Sequence, residues 1–204
     1  MAVVERRYSA CPTILPHQLW LGRSPLDPAK INPVTNTPQN KPFGGFWTST
    51  YHETLMSDWV LFSYTNETYW KGTALEAWIV TANPDARIYR IDGYYDFEEL
   101  LCRYHVNPAW NGPFIPAKRF SEIYSLFCGE LPMGKAKLDF EAISRDYDAV
   151  HLTERGLSET KYGYPYNLIG WDVESTIWFR WSFSRAEYLG NLCTNPLRIV
   201  APGS

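Results

Sequence analysis

Alternating apolar and polar positions dominate this chain, so most of its elements read as strands, with a few short helices between them. Residues 1–16, with Pro12 and Pro16, predict an irregular lead-in. Residues 17–24 (HQLWLGRS) form the first strand, which ends at Gly22, a residue that lets the backbone turn or a ligand come close. A proline-broken loop follows over residues 25–42, long enough to serve as a lid or binding loop or to be a tolerated insertion. Residues 43–51 (FGGFWTSTY) predict a glycine-led aromatic strand. Over residues 52–63, Leu55, Trp59 and Phe62, with Met56 and Val60 on a neighbouring line, take helical spacing.

Further strands are expected at 74–80, 87–92 and 148–153, with Asn83-Pro84-Asp85 as a turn. Residues 97–104 read as an amphipathic helix entered through Asp96 as N-cap, residues 121–131 as another helix, and 139–147 as a short helix or irregular run. Residues 107–118 read as a loop, and residues 153–165 as a polar, glycine-bearing loop. Residues 182–192 declare no element, and the tail from Asn195 reads as frayed. With no repeat or linker visible, the expected architecture is one α+β domain over 1–204. Its core is expected to be mixed, mainly antiparallel β, with short flanking helices.

The stretch from Leu168 to Trp181 (LIGWDVESTIWFRW) carries the most suggestive chemistry. As a strand it sets Asp172, Glu174, Thr176, Trp178 and Arg180 on one face, and Val173, Ile177, Phe179 and Trp181 on an apolar back. Two carboxylates one repeat apart then stand over a buried layer. That arrangement suits an acid held over a cleft, and equally an ordinary half-exposed strand.

Composition narrows the function classes. A formal net charge of −3 argues against generic nucleic-acid binding through a basic surface. The 9 Trp, 14 Tyr and 10 Phe suit either a ring-lined ligand groove or a β-rich core. There is no 18-residue apolar run and no apolar leader after Met1, so a cytoplasmic protein without a membrane span is expected. Four scattered cysteines and four scattered histidines form no metal motif.

Three stretches together resemble the ADP-ribosyltransferase superfamily: Leu19-Trp-Leu-Gly22-Arg23-Ser24, then residues 43–50 with Ser57-Asp-Trp59, then Asp172-Val-Glu174. The Thr48-Ser49-Thr50 run is similar to the Ser-Thr-Ser signature of the arginine-type branch, and Asp172-Val-Glu174 to its paired acids. Two positions depart from the pattern. Leu21 stands where a histidine commonly precedes the first-motif glycine, and Asp172 where the branch has Glu or Gln.

The resemblance implies two packed sheets forming a cleft for NAD as co-substrate, cleavage of the nicotinamide–ribose bond, and transfer of ADP-ribose to a protein or nucleic-acid acceptor. It implies Glu174 as the carboxylate that stabilises the ribosyl cation and Asp172 as the residue that activates the acceptor. Gly22, Arg23 and Ser24 are implied as NAD contacts, Ser49 as a hydrogen-bonding support for Glu174, and Trp47, Tyr51 or Trp59 as stacking partners of nicotinamide. The loop over residues 156–170, before the late strand, is implied to recognise the acceptor. Each residue has a plainer alternative: Arg23 as a surface charge, Ser49 as a solvent-facing hydroxyl, Trp59 as core. An NAD glycohydrolase, a non-catalytic carbohydrate- or nucleotide-binding module and an inactive scaffold of the same shape are the competing readings.

Overall fold

The computed structural model describes residues 14–66, 75–106, 114–119, 136–194 and 197–201. The expected helix over 121–131 lies outside them, as do residues 107–113 of the expected loop.

The architecture is α+β. Among the described residues, eight strands form one sheet: β1 (Gln18–Gly22), β2 (Phe46–Thr50), β3 (Leu75–Ala82), β4 (Ile88–Ile91), β7 (Ala149–Leu152), β8 (Ser175–Trp178), β9 (Phe183–Thr194) and β10 (Leu197–Val200). Their order is β10-β9-β3-β1-β2-β8-β7-β4, antiparallel throughout except for the parallel pair β4–β7. The short strands β5 (His105–Val106) and β6 (Lys137–Leu138) make a separate two-stranded ladder. Hydrogen bonding therefore defines one continuous eight-stranded order. Its narrow seam lies at β2, whose residues Phe46 to Thr48 pair with β8 while Ser49 and Thr50 pair with β1.

Helices flank the sheet: α1 (Asp58–Thr65), α2 (Tyr94–Arg103), α3 (Phe140–Asp146) and α4 (Glu154–Thr160). Three begin at side-chain caps, where Ser57, Asp139 and Thr153 each accept a bond from a first-turn N–H. The largest core cluster packs α2 and α3 (Phe97, Leu100, Phe140, Ile143) against Ile91, Val150, Leu152 and Ile177 of β4, β7 and β8. A second cluster, with Phe46, Ala149, Trp178 and Phe183, occupies the other face. A third joins Val60 of α1 to Leu19, Leu75 and Ala77. No helix among the described residues is long and apolar enough to cross a membrane.

Several expectations are corrected. The first helix starts at Asp58, six residues late, because a turn closed by the His52–Met56 bridge, with Met56 at φ +62°, precedes it. Gly93, not Asp96, occupies the N-cap of α2, and the Asp96 carboxylate reaches back to accept from the Asp92 N–H at 2.9 Å. Residues 154–160, expected as loop, are α4. Chain after Asn195 pairs with β9 as β10, and a β-carbon on Gly190 (φ +130°) would lie 2.1 Å from the Val200 carbonyl oxygen, so only glycine permits this approach. The long stretch 168–181 contains only four strand residues. A backbone bond from Trp171 N–H to the Leu168 carbonyl turns the chain before β8, and Glu174, Thr176 and Trp178 are as buried as the expected apolar back.

Residues 25–42 do not hang free. The Asn40 side chain donates to the Asn167 carbonyl and accepts from the Leu138 N–H, while Asn36 bonds to Asp139 and to the Phe140 N–H. The loop is fastened to the α3 side of the fold.

Candidate functional site

Strands β1, β2 and β8, which carry or adjoin the three motif stretches, lie side by side. Antiparallel register puts Gln18 opposite Thr50, and Thr48 opposite Thr176. These side chains therefore meet at the seam, under the residue that enters β8, Glu174. A buried polar network forms there. Gln18 is fully buried, and its Oε1 accepts from the Thr48 hydroxyl at 3.0 Å and the Thr176 hydroxyl at 2.9 Å. Its Nε2 donates to the Thr50 hydroxyl and to the Pro16 carbonyl, both at 3.2 Å. The indole N–H of Trp178 donates to Thr48 at 2.9 Å. Each polar atom of the amide has partners, as a water-excluded site demands.

Glu174 sits at one end of this network with 5% of its surface exposed. The Thr50 N–H donates to one carboxylate oxygen and the Thr50 hydroxyl to the other, both at 2.9 Å. Burial nonetheless pushes the carboxyl up to about 7, with Asp58 and Glu154 adding repulsion, and the two Thr50 bonds only partly offset this. His151 of β7 lies 3.5 Å from the same carboxyl and 2.8 Å from the Thr176 hydroxyl. Burial drives the imidazole down to about 4, so desolvation outweighs any ion pairing. Between about pH 4 and 7 both groups are neutral, and Glu174 alone changes charge near neutrality.

Glu174 opens onto a cleft of about 870 Å3 between α1 and α4, with Val173 beside it. That volume lies within the range of small-molecule sites. Asp58, Leu61, Phe62 and Thr65 form the α1 wall. The α4 wall carries Glu154, Arg155, Leu157 and Ser158, continuing into Lys161 and the exposed ring of Tyr162. Arg155 is anchored to Asp92 at 2.8 Å, and Lys161 to the Asp172 carbonyl at 3.1 Å.

The expected site residues divide sharply. Glu174 is at the cleft. Asp172 is outside its lining, half-buried and paired with Lys41 at 3.3 Å. Gly22 lies at the opposite end of β1 from Gln18, ~13 Å along the strand. The Trp20 indole fills the space where a Gly22 side chain would go, and Arg23 and Ser24 are exposed beyond it. The three do not meet Glu174. Ser49 is buried with a hydroxyl that finds no hydrogen-bond partner among the described residues, and the support expected of it comes from Thr50. The reason is strand alternation: Thr48 and Thr50 share the Glu174 face, so Ser49 points away.

The expected stacking rings are also elsewhere. Trp47 donates to the Gly44 carbonyl and meets Trp171 edge-on at 5.0 Å; Tyr51 packs on the α1 cluster. Trp59 stacks on Phe62 at 5.7 Å, and it is Phe62 that reaches the cleft. Sequence reasoning missed Gln18, Thr50, Phe62 and Tyr162. For Gln18 a signal existed, a lone amide opening an otherwise apolar strand.

No protein-family model, curated protein or solved structure matches the chain.

Proposed function

We propose that this chain is an NAD-dependent mono-ADP-ribosyltransferase, with Glu174 as the catalytic carboxylate. The observation that carries the reading is the grip on Glu174: a nearly buried carboxylate, held by both donors of Thr50 from the Thr-Ser-Thr strand, at the floor of a ligand-sized cleft. In this reaction the bond between ribose C1′ and the nicotinamide nitrogen breaks, and its electron pair leaves with nicotinamide and neutralises the pyridinium. Positive charge develops on the ribose, and a fixed carboxylate in a poorly solvated wall stabilises it. The acceptor's nucleophile then bonds to C1′ and loses its proton to solvent.

The apolar faces of Phe62, Leu157 and Tyr162 suit the nicotinamide ring. Arg155 and Lys161 replace Arg23 as the cations for the pyrophosphate. The Asp172 carboxylate, held by Lys41, has no part in this scheme; the residue contributes only the backbone carbonyl that anchors Lys161.

The test is turnover with NAD labelled in the adenosine half, in the presence of a cell lysate, with Glu174→Gln as control. Labelled macromolecule and free nicotinamide should appear together and fall by orders of magnitude in the variant. Free ADP-ribose without labelled macromolecule assigns the site to an NAD glycohydrolase instead. Ligand binding without nicotinamide release, unaltered in Glu174→Gln, leaves a binding module.

A further inference from the structure

We infer that Gln18 is a positioning residue, whose side-chain amide dictates the direction in which protons are donated through the seam network onto Glu174. The argument starts from two groups that have no choice. An indole N–H can only donate, so Thr48, which accepts from Trp178, must send its own hydroxyl proton elsewhere, and the partner available is Gln18 Oε1. A carbonyl oxygen can only accept, so the Gln18 atom facing the Pro16 carbonyl must be the NH2. Both ends of the amide are thereby fixed, and the flipped orientation would break two bonds.

Two consequences follow, one on each arm. Gln18 Nε2 donates to Thr50, so the Thr50 hydroxyl proton is turned toward Glu174 rather than back into the network. A hydroxyl that accepts one hydrogen bond is also a stronger donor of the next. On the other arm, Thr176 gives its single hydroxyl proton to Gln18 Oε1. His151 Nδ1, 2.8 Å from that hydroxyl, must therefore carry the hydrogen. Gln18 touches neither the cleft nor the reacting atoms, and it acts through Thr50 and Thr176. Its effect on turnover rests on the reading proposed above; the hydrogen-bond directions do not.

Nitrogen-15 NMR of the His151 ring and carbon-13 NMR titration of the Glu174 carboxyl test this without any substrate. In the unmodified protein His151 should be the Nδ1–H tautomer, and an Nε2–H tautomer overturns the inference. Gln18→Met keeps the length and volume of the side chain but removes both amide functions. Freed from Gln18, the Thr176 hydroxyl should donate to Nδ1 and switch His151 to the Nε2–H tautomer. The Glu174 midpoint should rise by about half a unit, roughly threefold in its proton equilibrium, as Thr50 becomes the weaker donor. Asp58 of α1, Glu154 and Arg155 of α4, and Lys161 also face the carboxyl or its cleft and are unchanged in the variant, while the His151 switch withdraws an Nδ1–H that lies 3.5 Å from the carboxyl and so moves the midpoint in the same upward direction. A folded Gln18→Met protein with unaltered tautomer and midpoint overturns the inference, and if the variant does not fold, the tautomer of the unmodified protein decides alone. Absence of NAD turnover with both NMR results as expected refutes only the proposed function.

Discussion

Replacing Glu174 by Gln should change the pH dependence of stability in the way expected of a buried, desolvated carboxyl. In the folded protein the group titrates at about 7, against 4.5 when free of the fold. A folded pKa above the unfolded one means that the folded state holds its proton more tightly. The associated stability is complete below pH 4.5 and is lost as pH rises to about 7. The full loss is about 3 kcal/mol, of which about 2.5 falls between pH 5 and pH 8.5. Gln is neutral at both pH values, and every other titratable residue is common to the two proteins, so the difference isolates Glu174. A fixed offset also arises. Thr50 donates to both carboxylate oxygens, and an amide can accept only one of those bonds, leaving a donor unmatched at a cost of about 1 kcal/mol. Glu174→Gln should therefore be about equal to the wild type at pH 5 and more stable by about 2 kcal/mol at pH 8.5, or several degrees in Tm. Urea unfolding at the two pH values measures it. A stability difference that does not change with pH would show that Glu174 titrates as an ordinary carboxylate, and the desolvation argument would fail.

Three other substitutions probe the remaining geometry. Thr50→Val deletes the hydroxyl donor to Glu174; a bond to a charged group is worth about 1.5–3 kcal/mol, so the alkaline-rising limb of NAD turnover should move up by about one to two units. Activity should then fall about 5- to 50-fold at pH 7 and recover by pH 9.5, and an equal loss at every pH refutes the link. Gly156→Ala sets a β-carbon 2.1 Å from the Ile91 carbonyl oxygen and 2.9 Å from its carbon, and that backbone, paired within the sheet, cannot yield as a side chain would. Despite a gain of about 1 kcal/mol in helix propensity, it should destabilise the protein by about 1–3 kcal/mol in chemical denaturation; a stabilised variant would show that α4 does not pack so closely. Asp172→Asn breaks a half-exposed pair with Lys41 and should cost less than ~1 kcal/mol, with turnover within threefold of wild type. A loss comparable to that of Glu174→Gln would return Asp172 to the catalytic site.

Where side chains alternate cleanly or flank a glycine, the strands could be read from residues alone: β1, β2, β3, β4 and β7 lie within the expected segments or pass them by two residues or fewer. Helix α4 could not. Its residues ERGLSET include one large apolar side chain, Leu157, and its inward face is instead Gly156 and Thr160, one turn apart. The helix is held by close backbone approach rather than by a hydrophobic stripe, so the periodicity that identifies amphipathic helices is missing. This helix forms one wall of the cleft, and the cleft therefore had no outline in the sequence.

The site failed to be legible for a related reason. Glu174 stood out as a carboxylate at the head of a β-branched, aromatic strand, but its partners depend on which face of each neighbour it shares. In Thr48-Ser49-Thr50 either the two threonines or the serine faces Glu174, and composition cannot choose, because the serine is as buried as the threonine that precedes it. The choice is made by pairing: Thr50 opposite Gln18 and Thr48 opposite Thr176 bring the threonines, not the serine, onto the carboxylate's side. Pairing also decides that β1 contributes the residue at its beginning, Gln18, since β1 and β2 run antiparallel and its far end, Gly22, with Arg23 beyond it, is carried away from Glu174. A motif read as a run of residues hides this, because proximity across a sheet is set by register and not by position within the run.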